Sequence, residues 1–289
     1  MNSAKKYAQK YDNNIQVLIN SQIEYEALYQ QKDINEIKDQ LCETYKVMKS
    51  SAIKAIEDSE TYHGKIIKGN AKKMFFYGES KGGYCGHKLN LAMARALSAT
   101  EVNASMGKIC AAPTAGSCGI LPGCLVTSCE NSNNEFEMAV NGLVVASIVG
   151  DLIDREASLS GAEGGCQAEC GSAAAMAAAI LVYYKNGTIE QMFDAAAIVI
   201  KNMLGLVCDP VAGLVEVPCS KRNAAGVAQA YLAADMVLAG IDCYIPFDEV
   251  IIAMRQVGKS LPHTLKETAQ GGVAITETGR KYNKMIHGK

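Results

Sequence analysis

The sequence predicts an all-α fold, and three observations support this prediction. Long segments rich in Ala, Val and Leu show little of the period-two alternation that is typical of half-buried strands. The N-terminal region repeats apolar residues at helical spacing, with charged residues between them. Gly and Pro are concentrated in short stretches between the apolar segments, as in loops that join helices. We therefore expect buried Ala-rich helices connected by Gly/Pro loops.

The N-terminal region, residues 1–80, predicts amphipathic surface helices near 15–30 and 35–60. It holds 23 charged residues, whereas the next 165 residues hold only 24. Because charged side chains are rarely buried, the middle of the chain should form the core. We expect residues 1–80 to pack as a helical segment on a catalytic core of residues 81–289, most simply within one continuous domain.

Four segments of the middle region predict long buried helices. They are 138–157, 172–184, 194–206 and 222–241. The segment 172–184 is rich in alanine and apolar on all sides, which is typical of a helix surrounded by other helices. Its small side chains should allow close packing in the centre of the molecule.

Composition limits the class of function. The 289 residues are 49% apolar, which is enough for a large core, and the net charge of −2 with 6% aromatic residues predicts no nucleic-acid partner. The apolar runs near 138–150 and 171–184 are shorter than the ~20 residues of a membrane span. The first residues also lack the apolar stretch of a secretion signal. We expect a cytoplasmic protein that acts on a small molecule.

The chain has eleven cysteines. They do not predict a disulfide framework, because cytoplasmic thiols stay reduced. Three of them stand in unusual contexts: Gly-Gly-Cys166-Gln, Val-Cys208-Asp-Pro and Val-Pro-Cys219-Ser. All four histidines lie outside 88–262, so ligands from this region would be thiolates, which favours an iron–sulfur cluster or Cys-rich zinc. No C-x-x-C pair is present. Taken alone, the three cysteines are compatible with a cluster, a zinc site or core packing.

The loop 112–123 is a candidate substrate-binding loop. Its side chains are small, so backbone N–H groups can approach an anion such as a substrate carboxylate. The candidate residues are Thr114, Ala115, Gly116 and Ser117, with the two hydroxyl groups assisting. A tight structural turn between buried helices explains the same composition equally well.

The loop 161–171 places two carboxylates, Glu163 and Glu169, beside Cys166 in an otherwise apolar region. A carboxylate that enters such a region must be paired or must perform chemistry. The paired glycines before Cys166 should free the backbone to turn its thiol inward. The alternative role for Glu169 is to cap the Ala-rich helix at its N-terminal end.

The loop 205–223 carries Cys208 and Cys219 near its two ends, so it can fold back onto one site. Pro210 is expected to stop the preceding helix. Lys221 and Arg222 follow Cys219 directly, and cations beside thiolates lower the thiol pKa. Alternatively, both basic residues begin a helix and face water.

These stretches together make the chain resemble a known family. The residues 98–117, the segment Glu163-Gly-Gly-Cys166-Gln and the run from Cys208-Asp-Pro to Cys219-x-x-Arg-Asn223 are similar to the α chain of iron–sulfur-dependent L-serine dehydratase, over roughly 80–275. The resemblance implies a four-iron four-sulfur cluster on Cys166, Cys208 and Cys219, with one iron left open and no pyridoxal phosphate. It also implies L-serine as substrate and a separate β chain as partner, in a hetero-oligomer.

The activity implied by the resemblance is a lyase reaction. The open iron would act as a Lewis acid on the serine hydroxyl while a base takes the α-proton, and the products would be pyruvate and ammonia. Such an enzyme would serve amino-acid degradation and gluconeogenesis. The candidate bases are Glu163, Glu169 and Lys108, or a histidine from the β chain. Asn103 and Asn223, which lie within the motifs, are further substrate-binding candidates.

Two other functions remain open on the sequence. Related chains with a similar cluster act as L-cysteine desulfidases, which release sulfide instead of water. A non-catalytic chain, with structural zinc or packed cysteines and an assembly surface, is the alternative from a different class. Comparing pyruvate formation from L-serine and L-cysteine separates the dehydratase from the desulfidase. A colourless, zinc-containing protein would favour the non-catalytic chain.

Overall fold

The structure is a computed structural model that describes residues 3–288. Residues 1–2 of the expected N-terminal segment 1–80 and residue 289 of the expected core 81–289 lie outside the described residues. The described residues form helices and no strand, apart from one isolated bridge between Cys208 and Lys266. The all-α prediction is therefore confirmed. The α-helices are Ser3–Lys10 (α1), Ile15–Gln30 (α2), Ile34–Glu57 (α3), Asn70–Lys81 (α4), Gly86–Ala104 (α5), Ile120–Cys129 (α6), Glu135–Glu156 (α7), Gly161–Gly164 (α8), Ser172–Tyr183 (α9), Ile189–Met203 (α10), Cys219–Leu238 (α11), Phe247–Ser260 (α12) and Glu277–His287 (α13).

Polar side chains fix where several of these helices begin. Asn14 accepts hydrogen bonds from two N–H groups of the first turn of α2. Capping boxes open α3, through Asp33 and Glu36, and α10, through Thr188 and Gln191. Each cap satisfies N–H groups that have no partner inside the helix, which stabilises that start by about 1 kcal/mol.

The Ala-rich helix α9 is the centre of the molecule. All its residues from Ser172 to Val182 are buried. It packs against α6, α7, α10 and α11, and a second group forms where α5 packs on α3, α4, α6 and α11. The alanines allow close approach of the neighbouring helices, as the composition of 172–184 predicts.

The N-terminal helices share this core. Leu18 and Ile19 of α2 and Tyr45 and Met48 of α3 are buried in the same apolar cluster as α7 and α9. Their charged residues lie mostly on the exposed side. The amphipathic pattern near 15–30 and 35–60 thus corresponds to two helices that bury one face.

The helix predicted at 194–206 differs in its bounds. It begins at Ile189, because Thr188 supplies the capping box, and it ends at Met203. Gly205 follows with a φ of +81°, a conformation that glycine adopts without strain and that turns the chain away. Pro210 lies in the following loop, so the expectation that it stops this helix is wrong.

Among residues 3–288, one helix, α7, is long and apolar enough to cross a membrane by length and composition. It is longer than the apolar run expected at 138–150. However, 67% of its apolar window is buried inside the protein, as in the core helix of a soluble protein.

Candidate active site

The three cysteines singled out in the sequence lie on three different elements and are all buried. Cys166 precedes a π-helical turn, Gln167–Gly171, that leads into α9. Cys208 lies in the loop after α10, and Cys219 is the first residue of α11. Their exposed fractions are 3%, 4% and 8% respectively.

Two contacts show that the three thiols lie in one region: Cys208 Sγ is 3.9 Å from Glu169, three residues after Cys166, and Arg222, three residues after Cys219, donates to the carbonyl of Val207. Burial raises the pKa of Cys208, and negative charge on Glu169, Cys166 and Cys219 raises it further. Burial also raises the pKa of Cys219, to about 12, with Cys166 contributing. Loops that are 42 residues apart at Cys166 and Cys208 therefore meet in space.

The backbone around Cys166 is fixed by its two neighbours. Gly165 has a φ of +78°, and a Cβ atom there would lie 2.9 Å from the Leu206 carbonyl oxygen. The Gln167 amide accepts a hydrogen bond from the N–H of Gly205 (2.9 Å) and donates to the carbonyl of Met254 (3.0 Å). Glycine at 165 therefore allows the turn and the close approach that direct Cys166 inward.

Arg222 faces this region and not water. It donates to the carbonyl oxygen of Val207 (2.7 Å) and to the Asp209 carboxylate (2.9 Å). Hydrogen bonding from Cys170 and the positive charge of Arg222 hold the pKa of Cys166 below its ordinary value, against the effect of burial. The alternative that both basic residues face water is wrong for Arg222, whereas Lys221 is exposed.

Cys208 is held from the other side by the C-terminal segment 263–275. Its N–H donates to the Leu265 carbonyl (2.9 Å), and its own carbonyl accepts from the N–H of Glu267 (2.8 Å). The adjacent Asp209 accepts from the N–H of Val273 (2.7 Å). Nothing in the local sequence pattern indicated this contact, because it joins segments about 60 residues apart.

Glu169 connects the loops. It lies in the π-helical turn, is 8% exposed, and accepts a hydrogen bond from Thr114 Oγ1 at 2.8 Å. Cys208 Sγ lies 3.9 Å from its other carboxylate oxygen. Burial raises its pKa. The start of α9 has no side-chain cap hydrogen bond, so Glu169 does not cap this helix through a hydrogen bond.

The loop 112–123 contains a short helical turn, Ala115–Ser117, that two asparagines hold in place. Asn223 donates to the carbonyl of Gly116 (2.8 Å) and accepts from the N–H of Gly119 (2.8 Å). Asn103 donates to the carbonyl of Ala115 (3.2 Å). A Cβ atom on Gly116 would lie 3.2 Å from a Glu169 oxygen, so this backbone packs directly against the carboxylate.

The hydroxyl groups of Thr114 and Ser117 cap this turn reciprocally. Ser117 is fully buried, and Thr114 is partly buried. Because Thr114 also donates to Glu169, it joins the first motif to the second.

Glu163 and Lys108, the other candidate bases, are exposed. Glu163 accepts a hydrogen bond from Ser158 Oγ (2.6 Å) and lines a cavity of about 240 Å³ together with Arg255 and Lys259. Within the described part of the chain, neither residue is hydrogen-bonded to Glu169 or to the three cysteines. Of the three candidate bases, Glu169 is the one whose carboxylate lies beside a cysteine of this region.

Two buried carboxylates that the sequence analysis did not single out bind backbone N–H groups of the N-terminal region. Glu216, between Cys208 and Cys219, accepts hydrogen bonds from the N–H groups of Lys65, Ile66 and Ile67. Glu101 of α5 accepts from the first N–H groups of α4. A lone Glu in the apolar run Leu214–Val217 was the available sign, since a buried carboxylate needs donors.

The donor set fits an iron–sulfur cluster. Among residues 3–288, no group of three His, Cys, Asp or Glu side chains is placed so that it could hold a single metal ion. Each cysteine of a four-iron cluster binds a different iron, so its ligands need not converge on one point. The hydroxyl of Ser220, next to Cys219, is buried without a hydrogen-bond partner in the described structure. Such a group fits beside an anionic acceptor.

The described structure is a helical chain in which three loops carry buried cysteines and a buried carboxylate lies between them. Comparison with known proteins identifies the family. The family model described as "Serine dehydratase alpha chain" matches residues 12–274, and the chain belongs to this family. The match includes α2, α3 and α4 and so begins well before the expected range of 80–275.

Two relatives of similar length support this assignment. The chain is 50% identical over 249 residues to the L-serine dehydratase alpha chain of Peptoniphilus asaccharolyticus, covering 86% of this chain and 85% of that one. It is 47% identical over 274 residues to the probable L-serine dehydratase alpha chain of Bacillus subtilis (strain 168), covering 94% and 91%.

Other relatives are longer. The L-serine dehydratase of Helicobacter pylori (strain 26695) is 42% identical over 188 residues, which are 63% of this chain but only 40% of that protein. The matched unit is therefore part of a larger polypeptide in such relatives.

Proposed function

We propose that this chain is the α chain of an L-serine dehydratase, which converts L-serine to pyruvate and ammonia. The observation that carries the proposal is the position of Glu169, in contact with Thr114 of the first loop and Cys208 of the third, beside the second-loop Cys166. Family membership supports it independently. We further propose a cytoplasmic hetero-oligomer with a β chain, since the similar-length relatives are named alpha chains, with roles in amino-acid degradation and gluconeogenesis.

The cofactor we propose is a four-iron four-sulfur cluster on Cys166, Cys208 and Cys219, with no pyridoxal phosphate. When bound, a cluster with three cysteine ligands supplies one open, Lewis-acidic iron for the hydroxyl of the substrate. Three buried thiolates would add negative charge to a region of low dielectric. Arg222, which pairs with Asp209 and donates to the carbonyl of Val207 next to Cys208, supplies compensating positive charge there.

We propose that the turn Ala115–Ser117 binds the substrate carboxylate. The N–H groups of Ala115 and Gly116 open this turn and have no acceptor within it. Asn223 and Asn103 hold the turn by its carbonyl groups, so we assign them a positioning role in substrate binding. Thr114 and Ser117 fix the turn through their hydroxyls, and Thr114 aligns it with Glu169.

For the proton transfer we propose Glu169. Its raised pKa and its contact with the substrate loop suit a group that takes a proton from the α-carbon of serine. Loss of hydroxide, which leaves as water after protonation, gives aminoacrylate. Aminoacrylate then tautomerises to an imine and hydrolyses to pyruvate and ammonia. Glu163 and Lys108 are weaker local candidates, and a histidine of the β chain is the competing source of the base.

The test is an anaerobic serine-to-pyruvate assay, with and without a co-expressed β chain. We expect pyruvate from L-serine at a rate that requires the β chain, in a brown, iron-containing preparation. Faster pyruvate formation from L-cysteine would favour the desulfidase alternative. A colourless, zinc-containing chain without turnover in either assay would contradict the proposal.

A further inference from the structure

A second thiol lies in contact with one of the proposed cluster ligands. Cys166 and Cys170 stand at the start and near the end of the π-helical turn, and their Sγ atoms are 3.3 Å apart. Cys170 is fully buried, whereas Cys166 has a small exposed fraction of 3%. Cys170 has no part in the proposed ligand set, so its position beside Cys166 needs another explanation.

We propose that Cys166 and Cys170 form a reversible disulfide when the cluster is absent and a peroxide is present. The two sulfurs are already in contact, so bond formation needs only a small adjustment of the side chains. Cys166, as the more exposed thiol, reacts first: its thiolate attacks hydrogen peroxide, giving a sulfenic acid and water after protonation. The Cys170 thiol then attacks the sulfenic sulfur and expels a second water. Overall, two thiols are oxidised and one peroxide is reduced to two waters.

The position of Cys170 decides what becomes of an oxidised Cys166. A sulfenic acid without a neighbouring thiol is open to further oxidation to sulfinic acid, which thiols do not reverse. A resolving thiol in contact intercepts it as a disulfide, which thiol exchange reduces again. The disulfide withdraws Cys166 from cluster assembly until a reductant returns it. This last consequence rests on the proposed function, whereas the disulfide itself does not.

The first measurement is chemical and is made on the full-length chain after removal of iron by a chelator under argon. Tryptic cleavage at Arg155 and Lys185 releases residues 156–185, which contain Cys166 and Cys170 and no other cysteine. After one equivalent of hydrogen peroxide and alkylation of free thiols, we expect this peptide to be unalkylated and lighter by two hydrogens. Treatment with dithiothreitol should restore alkylation at both positions. Alkylation at both sites without reductant, sulfinic acid on Cys166, or linkage of Cys166 to Cys208 or Cys219 would overturn the proposal.

The second measurement uses variants and the uptake of iron and sulfide. Cys170→Ala removes the resolving thiol, and Cys124→Ala removes another fully buried thiol from α6 as a matched control. After peroxide, wild type and Cys124→Ala should take up no cluster until dithiothreitol is added. With two equivalents of peroxide, Cys170→Ala should carry sulfinic acid on Cys166, because the second peroxide oxidises the sulfenic acid, and dithiothreitol does not reverse this step. Recovery of Cys170→Ala equal to wild type would contradict the protective role. A disulfide that leaves iron uptake unchanged would overturn Cys166 as a ligand, and with it this consequence.

Discussion

At the scale of single residues, Glu169 is where the separate motifs meet. Its two carboxylate oxygens contact Thr114 and Cys208, and the backbone of Gly116 packs against it. A buried carboxylate in such contacts costs folding free energy unless it is paired. The position therefore suits a group retained for chemistry.

Replacing Glu169 with Gln tests this role. Gln keeps the shape and can still accept the hydrogen bond from Thr114, but it cannot take a proton. We expect kcat for L-serine to fall about 10²- to 10⁴-fold, the usual contribution of a general base, with iron content unchanged. The matched control is Glu163→Gln, an exposed carboxylate in the same loop. Wild-type turnover in Glu169→Gln would indicate that the β chain supplies the base. A loss of turnover confined to Glu163→Gln would identify Glu163, and not Glu169, as the base.

The Asn223 side chain supports the substrate loop, and Asn223→Ala should destabilise it. The change removes the acceptor of the Gly119 N–H and the donor to two carbonyl groups, of Gly116 and Cys219, all at a fully buried position. Leaving such groups unpaired costs about 1–3 kcal/mol each before relaxation. Urea unfolding should show this loss, and KM for L-serine should rise. The matched control is Asn202→Ala, at an exposed position on α10. Its free energy of unfolding should differ from that of wild type by no more than about 0.5 kcal/mol.

At this scale the sequence predicted residue types better than contacts. It placed Glu169 and Arg222 beside the cysteines, because charged residues in an apolar region are conspicuous. It left open whether they cap a helix or face water, since that choice depends on loops far apart in the chain. It missed the contacts that Cys208 and Asp209 make with Glu267 and Val273 of the C-terminal segment.

At the scale of elements, helices set the framework and the loops carry the site. The Ala-rich composition of α9 was sufficient to predict a central helix, because only small side chains allow neighbours so close. The π-helical turn before α9 was not predictable from spacing, and it is this turn that places Cys166, Glu169 and Cys170. Segment 263–275, with no regular pattern, fixes Cys208 through two backbone hydrogen bonds.

The contact between α3 and the start of α7 gives a pH-dependent prediction. Burial opposes ionisation of Glu135, but hydrogen bonds from Lys49 (2.6 Å) and Tyr45 (2.8 Å) outweigh it and hold its pKa below the ordinary value. A carboxyl with a lowered pKa stabilises the fold above its unfolded pKa, and this stabilisation is lost as pH falls through the folded pKa.

Glu135→Gln should therefore lower the free energy of unfolding at pH 7 by about 0.5–1 kcal/mol, since the pair is partly exposed. The difference from wild type should shrink toward zero in acid, as measured by urea unfolding across pH. Glu137→Gln, an exposed carboxylate in the same helical turn, should show little change at either pH. A difference that persists unchanged in acid would contradict the assignment.

At the scale of the whole molecule, the N-terminal helices α2 and α3 are part of the family unit. The family match begins at residue 12, and α2 and α3 bury apolar residues in the same core as α9. Sequence reasoning predicted that these helices exist and which face is apolar. It could not place them, because amphipathic helices fit many surfaces and the choice depends on the shape of the core they cover.

We propose that Cys166, Cys208 and Cys219 together hold one iron–sulfur cluster. The most direct measurement is the iron and sulfide content of the chain purified anaerobically with its β chain, for wild type, Cys166→Ser, Cys208→Ser, Cys219→Ser and the buried-thiol control Cys124→Ser. We predict about four irons and four sulfides per chain in wild type and the control, and loss of the cluster in each of the three ligand variants. Full iron content in any one of those three would contradict the account.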